Sequence, residues 1–307
     1  MRSVAEVGAT SGQLRALLAP VLAEQVDVFL SAGLAAVAAD ARRRWVQVGL
    51  ALRPGVGGGE VGTVLGRLVD GLIDDGTATN ACYLRRSPGF QLRVESPPGQ
   101  RSRLEGELYS RLARLRSTFE RPVPGVYEPE SVAFGGPAAM RFVHALFTID
   151  SRAWLAFHRL RSPGPAWAFS LALQRRLLAG LEIPDREGVE VWDRVRQRTD
   201  RTLPPGPISG RAAAATGIRA AWTDPERLVA GLPADVRAVL QHWGPRVQAA
   251  GRRWHAGYYA RRGAGIGPWE GAAVATVLHW NRGGLSAGAQ SLIADALSAP
   301  AMTGSRP

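Results

Sequence analysis

Cysteine, lysine and long apolar runs are scarce or missing in this sequence of 307 residues. Cys82 is the single cysteine, which excludes an internal disulfide and a zinc site built from cysteines. No apolar run reaches the roughly 18 residues that a membrane-spanning helix needs, and the N-terminus lacks the pattern of a secretory signal peptide. We therefore expect a cytoplasmic protein that has no membrane partner.

All 38 basic residues are arginine. Without lysine the chain can perform neither Schiff-base chemistry nor the phosphate binding of a Walker-type loop. The net charge of +12 predicts an acidic partner, for which nucleic acid and an acidic peptide are the two candidates. Because the sequence contains no helix-turn-helix, zinc-finger or RNP motif, we expect the peptide and no nucleic acid.

Two common classes of catalytic site are also missing. The sequence has no HExxH motif and no set of histidines and carboxylates at metal-ligand spacing, so no metal site is expected. The pattern GxSxG occurs once, over residues 284–288, but it lies between two predicted helices and not at the strand-to-helix turn that the hydrolase elbow requires. The usual zinc-hydrolase and serine-hydrolase mechanisms are therefore not expected.

Hydrophobic periodicity predicts an α+β fold. Strands are expected over 45–52, 81–86, 90–95 and 123–127, and helices over 61–74 and 104–119. The order strand, helix, hairpin, helix, strand is that of the ferredoxin-like split arrangement, which predicts an antiparallel sheet flanked by helices. The half of the chain after Pro137 is predicted to be mostly helical. Its helices are expected over 138–160, 165–181, 186–198, 234–262, 269–282 and 286–298.

Composition divides the chain into three parts. Residues 1–43 are predicted to form a helical N-terminal segment, residues 44–298 the main domain, and residues 299–307 a disordered tail. Residues 202–221 contain Leu-Pro-Pro-Gly-Pro followed by an alanine-rich run. They are the best candidate for a mobile loop or linker inside the main domain.

The predicted hairpin carries the first candidate site. Arg85 and Arg86 end one strand and Arg93 lies on the next, and strand alternation allows Arg85 and Arg93 to share a face. Clustered guanidinium groups bind carboxylates well because they pair bidentately. A solvated face of the sheet explains the same pattern and is the better interpretation of these residues alone.

Glu128 and Glu130, in the turn before Gly135-Gly136, form the second candidate site. Such a pair can perform acid–base chemistry, although pairing with the hairpin arginines is the simpler expectation. The third candidate is the C-terminal segment, where titratable, polar and aromatic groups concentrate. These groups are His255, Tyr258, Tyr259, His279, Trp280, Asn281, Arg282, Ser286 and Gln290. A lone histidine near the end of a buried helix, such as His279, is usually a satisfied core residue.

Several motifs taken together resemble one family. They are YEPE, FGGP and FTIDSRA within residues 127–153, the strand WVQVGLAL, the hairpin RxSPxxxLR and the late pair NR. The chain resembles the thiopeptide-type bacteriocin biosynthesis proteins, which are related to the C-terminal elimination domain of lanthipeptide dehydratases. The resemblance spans roughly residues 44–296 and implies that 44–298 is an elimination-domain-like catalytic domain.

The resemblance implies one of two activities on a ribosomally synthesised precursor peptide. One activity removes glutamate from glutamylated Ser or Thr and leaves dehydroalanine or dehydrobutyrine. The other is the pyridine synthase of thiopeptides, which joins two dehydroalanines in a formal aza-cycloaddition and then expels water and the leader peptide. The second activity needs no cofactor, so a cofactor-independent lyase or cyclase is expected.

Two residues that are usual in eliminating members of the family are missing here. The Arg expected three residues after the second Glu of YEPE is replaced by Ala133, and the His expected four residues before Asn281 is replaced by Val277. Expelling glutamate needs cations for the departing carboxylates and a base for the α-proton. The departures therefore favour a standalone pyridine synthase. A split elimination subunit is the alternative, and an inactive peptide-binding scaffold is a third hypothesis.

The resemblance and the side-chain chemistry together imply a set of site residues. The expected catalytic residues are His279, Tyr258, Tyr259 and Ser286, with His279 and one tyrosine transferring protons. The expected substrate-binding residues are Arg85, Arg86, Arg93, Glu130, Trp280, Asn281 and Arg282. Within this set the hairpin arginines would bind an acidic leader, Trp280 would pack on thiazole rings and Asn281 would position amides. The precursor peptide and other thiopeptide biosynthetic enzymes are the expected partners.

Overall fold

The computed structural model describes residues 43–198 and 210–298, together with a few single positions before residue 43. The predicted N-terminal segment and the predicted tail therefore lie almost entirely outside the described residues. The strands are β1 (Trp45–Ala51), β2 (Asn80–Arg86), β3 (Gly89–Glu95) and β4 (Val123–Gly125). The helices are α1 (Gly58–Asp74), α2 (Arg101–Ala113), α3 (Pro137–His158), α4 (Ala166–Gly180), α5 (Gly188–Arg198), α6 (Arg211–Thr223), α7 (Pro225–Ala230), α8 (Ala234–Trp254), α9 (Pro268–Gly283) and α10 (Ala287–Ser298).

The strands form one antiparallel sheet in the order β2-β3-β1-β4. Helix α1 connects β1 to β2, and helix α2 connects β3 to β4. This is the strand order of a ferredoxin-like arrangement with two helical crossovers. The predicted α+β class, the antiparallel sheet and the mostly helical C-terminal half are confirmed.

Helix α3 joins the sheet to the C-terminal helices. It packs against α1, along the edge strand β2 and against α8. The apolar stripe of α1 buries Leu65, Val69 and Leu72, and the stripe of α3 buries Val143 and Trp154. Each fully buried side chain of this size contributes about 1.5–3 kcal/mol relative to an exposed one. Within the described ranges, no helix is both long enough and apolar enough to cross a membrane.

Two predicted element ends in the first half of the chain are wrong because tertiary contacts end the elements early. Helix α2 stops at Ala113 rather than at Phe119. Phe119 is instead extended, pairs with Leu52 as an isolated bridge and is 1% exposed. Strand β4 stops at Gly125, since the Gln47 side-chain amide donates to the next carbonyl, that of Val126, at 3.1 Å.

The predicted linker over 202–221 is wrong in its second half. Residues 211–223 form helix α6, because its alanine-rich run consists of the strongest helix former; residues 202–209 lie outside the described part. The predicted helix over 234–262 is also interrupted. Helix α8 ends at Trp254 and continues as a single π-helical turn over His255–Tyr259.

Helices α4 and α8 approach closely where both carry glycine. A Cβ added to Gly180 would collide with the carbonyl oxygen of Gln248, and one added to Gly251 would lie 3.0 Å from the Gly180 Cα. Gly106 on α2 offers a contrast, since it is exposed and a Cβ there would meet nothing within 4 Å. The glycines of α4 and α8 are therefore required by packing.

We expect Gly180→Ala to lower the free energy of unfolding by about 1–3 kcal/mol, because it forces the two helices apart. The same change at Gly106 should raise it by up to about 1 kcal/mol, because alanine favours the helix and nothing obstructs the methyl group. Urea unfolding followed by circular dichroism measures both. Equal midpoints for wild type and Gly180→Ala would disprove the close approach.

Candidate functional site

Polar side chains of α3 cover the outer edge of strand β2. The Ala81 N–H donates to Thr148 Oγ1 at 3.1 Å, and the Tyr83 N–H donates to Ser151 Oγ at 3.3 Å. Buried backbone donors need such partners, and an uncovered edge invites pairing with another chain. Thr148 and Ser151 of the FTIDSRA motif therefore complete the sheet.

Asn281 of α9 covers the next position along the same edge. The Arg85 N–H donates to Asn281 Oδ1 at 2.7 Å, and Asn281 Nδ2 donates to the Arg85 carbonyl at 3.0 Å. The Arg85 guanidinium donates from Nε to the Arg282 carbonyl at 3.1 Å, and its Nη2 lies 3.2 Å from His158 Nε2. Burial, reinforced by Arg85, lowers the pKa of His158 to about 4, so its ring is neutral at pH 7 and accepts this hydrogen bond. Arg85 is thus hydrogen-bonded to both Asn281 and Arg282, and these contacts fix the end of strand β2 to the C-terminal end of helix α9.

The expectation that Arg85 and Arg93 share a face of the sheet is wrong. The register pairs Arg85 with Phe90 and Cys82 with Arg93. Opposed residues of an antiparallel ladder share a face, and successive residues alternate, so Arg85 and Arg93 point to opposite faces. Arg86 is exposed beside the hairpin turn. The hairpin arginines therefore do not form one cluster.

A buried carboxylate, Asp150 of α3, joins α3 to α9. Its Oδ1 lies 2.6 Å from His279 Nδ1, and its Oδ2 accepts a hydrogen bond from Arg282 Nε, also at 2.6 Å. All three side chains are at most 7% exposed. Burial opposes ionisation of Asp150, but His279 and Arg282 outweigh it and hold the pKa of this carboxyl below its usual range. Asp150 is therefore ionised at neutral pH.

Ser170 and Trp280 occupy the other side of the His279 ring. Ser170 Oγ lies 3.0 Å from His279 Nε2 and accepts a hydrogen bond from Trp280 Nε1 at 3.1 Å. The Trp154 indole N–H also lies 3.0 Å from His279 Nδ1. An indole only donates and a carboxylate only accepts, so the shorter contact with Asp150 places a hydrogen on Nδ1. Neither His279 nor Trp280 faces solvent in this conformation.

Tyr258 ties the FGGP turn to the loop before α9. Its hydroxyl donates to the Gly135 carbonyl at 2.8 Å and accepts the Gly265 N–H at 2.9 Å. Gly135 has a φ of +82°, and a Cβ there would collide with the Tyr258 hydroxyl, so glycine is required twice over. The buried Tyr259 hydroxyl has no hydrogen-bond partner within residues 43–198 and 210–298. Ser286 is exposed, and its Oγ accepts the backbone N–H three residues on, at the start of α10.

Arg93 and Glu130 form a charged pair at the YEPE turn. Arg93 donates from Nη1 to Glu130 Oε1 at 3.0 Å and from Nε to Gln47 Oε1 at 2.9 Å, and its guanidinium lies 4.7 Å from the Tyr127 ring centroid. The Arg93 side chain is 6% exposed, whereas that of Glu130 is 30% exposed. The Glu130 Oε2 atom has no partner in the described part of the chain. The expected pairing of Glu130 with a hairpin arginine is confirmed, and its second carboxylate oxygen is buried without a partner.

Tyr127 and His144 form a neutral hydrogen bond next to this pair. The Tyr127 hydroxyl lies 2.7 Å from His144 Nε2, and the Trp45 ring packs against both. Burial, together with Arg93 and Arg44, lowers the pKa of His144 to about 3, and burial raises the pKa of Tyr127. The phenol therefore donates to a neutral imidazole. Sequence reasoning missed His144 entirely, and the only available signal was its place between FGGP and FTIDSRA.

The structure thus groups seven of the eleven predicted site residues in three places. Glu130 and Arg93 meet at the YEPE turn, Arg85 and Asn281 meet at the edge of β2, and His279, Trp280 and Arg282 meet around Asp150 in the core. The catalytic and substrate-binding roles assigned to these residues stay predictions. No three His, Cys, Asp or Glu side chains among the described residues lie in an arrangement that could hold a metal ion.

We expect Asp150→Asn to lower the free energy of unfolding by about 3–5 kcal/mol at pH 7, because it leaves Arg282 buried without its counter-charge. Asp74→Asn removes an exposed partner of Arg152 and should cost at most about 1 kcal/mol. The native pKa of Asp150 is depressed, so its stabilisation exists above the unfolded pKa of about 4 and is lost as the pH falls. The gap between wild type and Asp150→Asn, measured by urea unfolding, should therefore shrink below that pH. A gap that widens on acidification would contradict the ion pair.

Similarity to known proteins extends over most of the chain. Residues 45–301 match the family described as lantibiotic biosynthesis dehydratase C-term. The fold is similar to the crystal structure of the tRNA-dependent lantibiotic dehydratase MibB from Microbispora sp. 107891, with a TM-score of 0.51 and 17% identity.

That similarity covers 83% of this chain but 27% of the dehydratase, and at such an identity it shows the fold alone. None of the curated proteins matches the chain. The family match, by contrast, spans most of the sequence and confirms the resemblance drawn from the motifs. The chain belongs to the lantibiotic biosynthesis dehydratase C-terminal family, which is associated with the enzymatic modification of ribosomally synthesised peptides.

Proposed function

We propose that the chain is a cofactor-independent pyridine synthase acting on a modified precursor peptide. The alkene of one dehydroalanine adds to an azadiene, which is formed by a second dehydroalanine and the imidic-acid tautomer of the adjoining amide. Two new bonds close the six-membered ring. Loss of water, and then of the leader peptide as its carboxamide, makes the ring aromatic. Both losses are eliminations, so no oxidant is needed.

The observation that carries this proposal is the charge around Glu130. Arg93 is a cation beside it and is already paired with its carboxylate. Ala133 follows in the same turn, and Val277 lies half-buried on α9, so neither position supplies a charge. An eliminating enzyme must hold the carboxylates of a departing glutamate, which favours free cations. A synthase must instead bring two neutral alkenes into near-attack geometry.

Glu130 is the residue that we expect to contact the reacting peptide. Its Oε2 atom is buried without a partner in this conformation. Once a bound peptide displaces the groups that cover it, this atom would accept the O–H of an imidic acid and so favour the tautomer that the cycloaddition requires. Arg93 fixes the Glu130 carboxylate, and Gln47 in turn fixes the Arg93 guanidinium. These groups therefore need not reorganise during the reaction. Arg93 is thus a positioning residue. Tyr258 contacts the neighbouring FGGP turn, and its ring lies 5.0 Å from that of Tyr259. Proton transfer by a tyrosine or by His279 is part of the proposal.

The same pair supports a split elimination subunit as the second candidate. In that reaction Glu130 would remove the α-proton of a glutamylated residue. Arg93 would then release Glu130 and pair with the carboxylate of the departing glutamate. A scaffold that binds the peptide without turnover is the third candidate. The three differ in the product that they release, so a single set of substrates separates them.

Mass spectrometry of the chain incubated with two peptides makes this separation. A leader-bearing peptide that contains dehydroalanines and thiazoles should lose water and the leader amide and give a macrocycle. A glutamylated peptide should remain unchanged. Glutamate loss from the second peptide would show that the chain is an elimination subunit and not a synthase. No change in either peptide would indicate a scaffold that binds the peptide without turnover.

Glu130→Gln should slow the macrocyclisation at least about tenfold, because the amide is a much weaker hydrogen-bond acceptor than the carboxylate. Glu128 is its matched control, since it is exposed in the same turn and two residues away. Glu128→Gln should retain the rate within about twofold and melt near the wild-type temperature. Glu130→Gln removes the counter-charge of the buried Arg93 and should melt lower, so circular dichroism must verify that it is folded at the assay temperature. Equal rates for the two variants would remove Glu130 from the site. Single-turnover rates with saturating enzyme separate this effect from weaker binding.

A further inference from the structure

A groove of about 800 Å³ lies between the C-terminal end of α2 and the edge strand β4, away from the clusters described above. Its lining includes Arg53, Arg116 and Arg121 together with Tyr109, and it contains no acidic side chain. A cleft of this volume is large enough for a ligand of several residues. The groove therefore combines room with charge of one sign.

The arginines of the groove are available to a partner. Arg116 and Arg121 are exposed, and neither forms an ion pair with any residue in the two described ranges. Arg53 is held at the wall, since its Nε donates to the Arg116 carbonyl at 2.5 Å and its backbone N–H donates to the Thr118 carbonyl at 3.1 Å. The groove thus has one fixed guanidinium and two that can adjust to a ligand.

Strand addition cannot explain binding at this edge of the sheet. Pro122 and Pro124 lack backbone donors, and the register opposes Pro124 to Val48 of β1. Proline on an edge strand points its missing donor outward and prevents a further strand from pairing. An occupant of the groove must therefore be recognised through side chains.

The segment that leaves the groove carries exposed apolar side chains toward Glu130. Val123, Val126 and Val132 are 64%, 82% and 91% exposed. Large aliphatic side chains that follow one another on the surface indicate a surface for interaction. The segment 123–132 therefore carries three exposed valines between the basic groove and the YEPE turn.

We propose that the groove binds an acidic peptide segment, whose carboxylates pair with Arg53, Arg116 and Arg121. Guanidinium groups match carboxylates in bidentate geometry, and the apolar side chains of such a peptide would pack on Tyr109 and Val123. A peptide fits better than single-stranded nucleic acid, which needs successive aromatic platforms, whereas this lining offers a single aromatic ring. Binding of an acidic peptide does not depend on the reaction at Glu130; only the identification of the occupant as part of a precursor rests on the proposed function.

Fluorescence anisotropy with the full chain tests this inference. The probe is a short fluorescein-labelled peptide of repeated Glu-Gly-Leu-Ser units, and its control has Gln in place of each Glu. The double variant Arg116→Gln, Arg121→Gln should weaken binding of the acidic probe at least about tenfold. The matched double variant Arg252→Gln, Arg253→Gln removes the same charge from exposed positions on α8 and should change the affinity less than about twofold.

Each other outcome overturns the proposal. Equal weakening by both double variants would mean that only the net charge matters, and equal affinity for the Gln control would exclude carboxylate recognition. If a short single-stranded RNA binds more tightly than the peptide, and if the double variant Arg116→Gln, Arg121→Gln loses that binding, the ligand of the groove is nucleic acid and not a peptide. Circular dichroism verifies that the variants are folded. Because the probe contains no dehydroalanine, the result is independent of whether the chain makes a pyridine.

Discussion

The buried Asp150 carboxylate is the contact on which the union of the sheet with the C-terminal helices depends. It neutralises Arg282 and holds His279, and a lone guanidinium at this depth would carry a large desolvation cost. The Arg282 carbonyl in turn accepts the hydroxyl of Tyr83 at 3.0 Å. Because Asn281 is the neighbour of Arg282, fixing one residue on α9 also fixes the other against strand β2.

The family motifs are therefore largely architectural in this chain. Thr148 and Ser151 of FTIDSRA and Asn281 of the NR pair cover one edge strand, and Gly135 of FGGP accommodates Tyr258. Such residues identify the fold without identifying the reaction, since one fold can carry several chemistries. The reaction must be argued from a polar atom that the motifs leave unpaired, such as the buried Glu130 Oε2 at the YEPE turn.

The order and type of the elements could be predicted from the sequence because they rest on local signals. Apolar periodicity, the Ser87-Pro88-Gly89 turn and Pro137 at the start of α3 are each readable within a few residues. The ends of α2 and β4 could not be predicted, since they depend on contacts of Phe119 and Gln47 with distant segments.

The site shows the same limit. Pairing of Glu130 with a hairpin arginine follows from opposite charges, but which arginine pairs depends on a strand register that the sequence pattern leaves open. The contact of His279 with Asp150 spans 129 positions and needs the packing of α3 on α9. The general expectation that a lone histidine at the end of a buried helix belongs to the core describes where His279 lies, although it named neither Asp150 nor Ser170 as its partners.

The distribution of charge offers a physical reason for separating peptide binding from chemistry. The chain has a large excess of arginine, yet the pair at the YEPE turn is balanced, while the exposed guanidinium groups of the α2–β4 groove have no acidic counterpart in its lining. Remote binding energy can position a long substrate without acting on the reacting atoms. A neutral cycloaddition gains little from charge at its centre and much from restricted motion of its two alkenes. An arrangement that places unbalanced charge at a distance from Glu130 suits such a reaction better than one that must stabilise an expelled carboxylate.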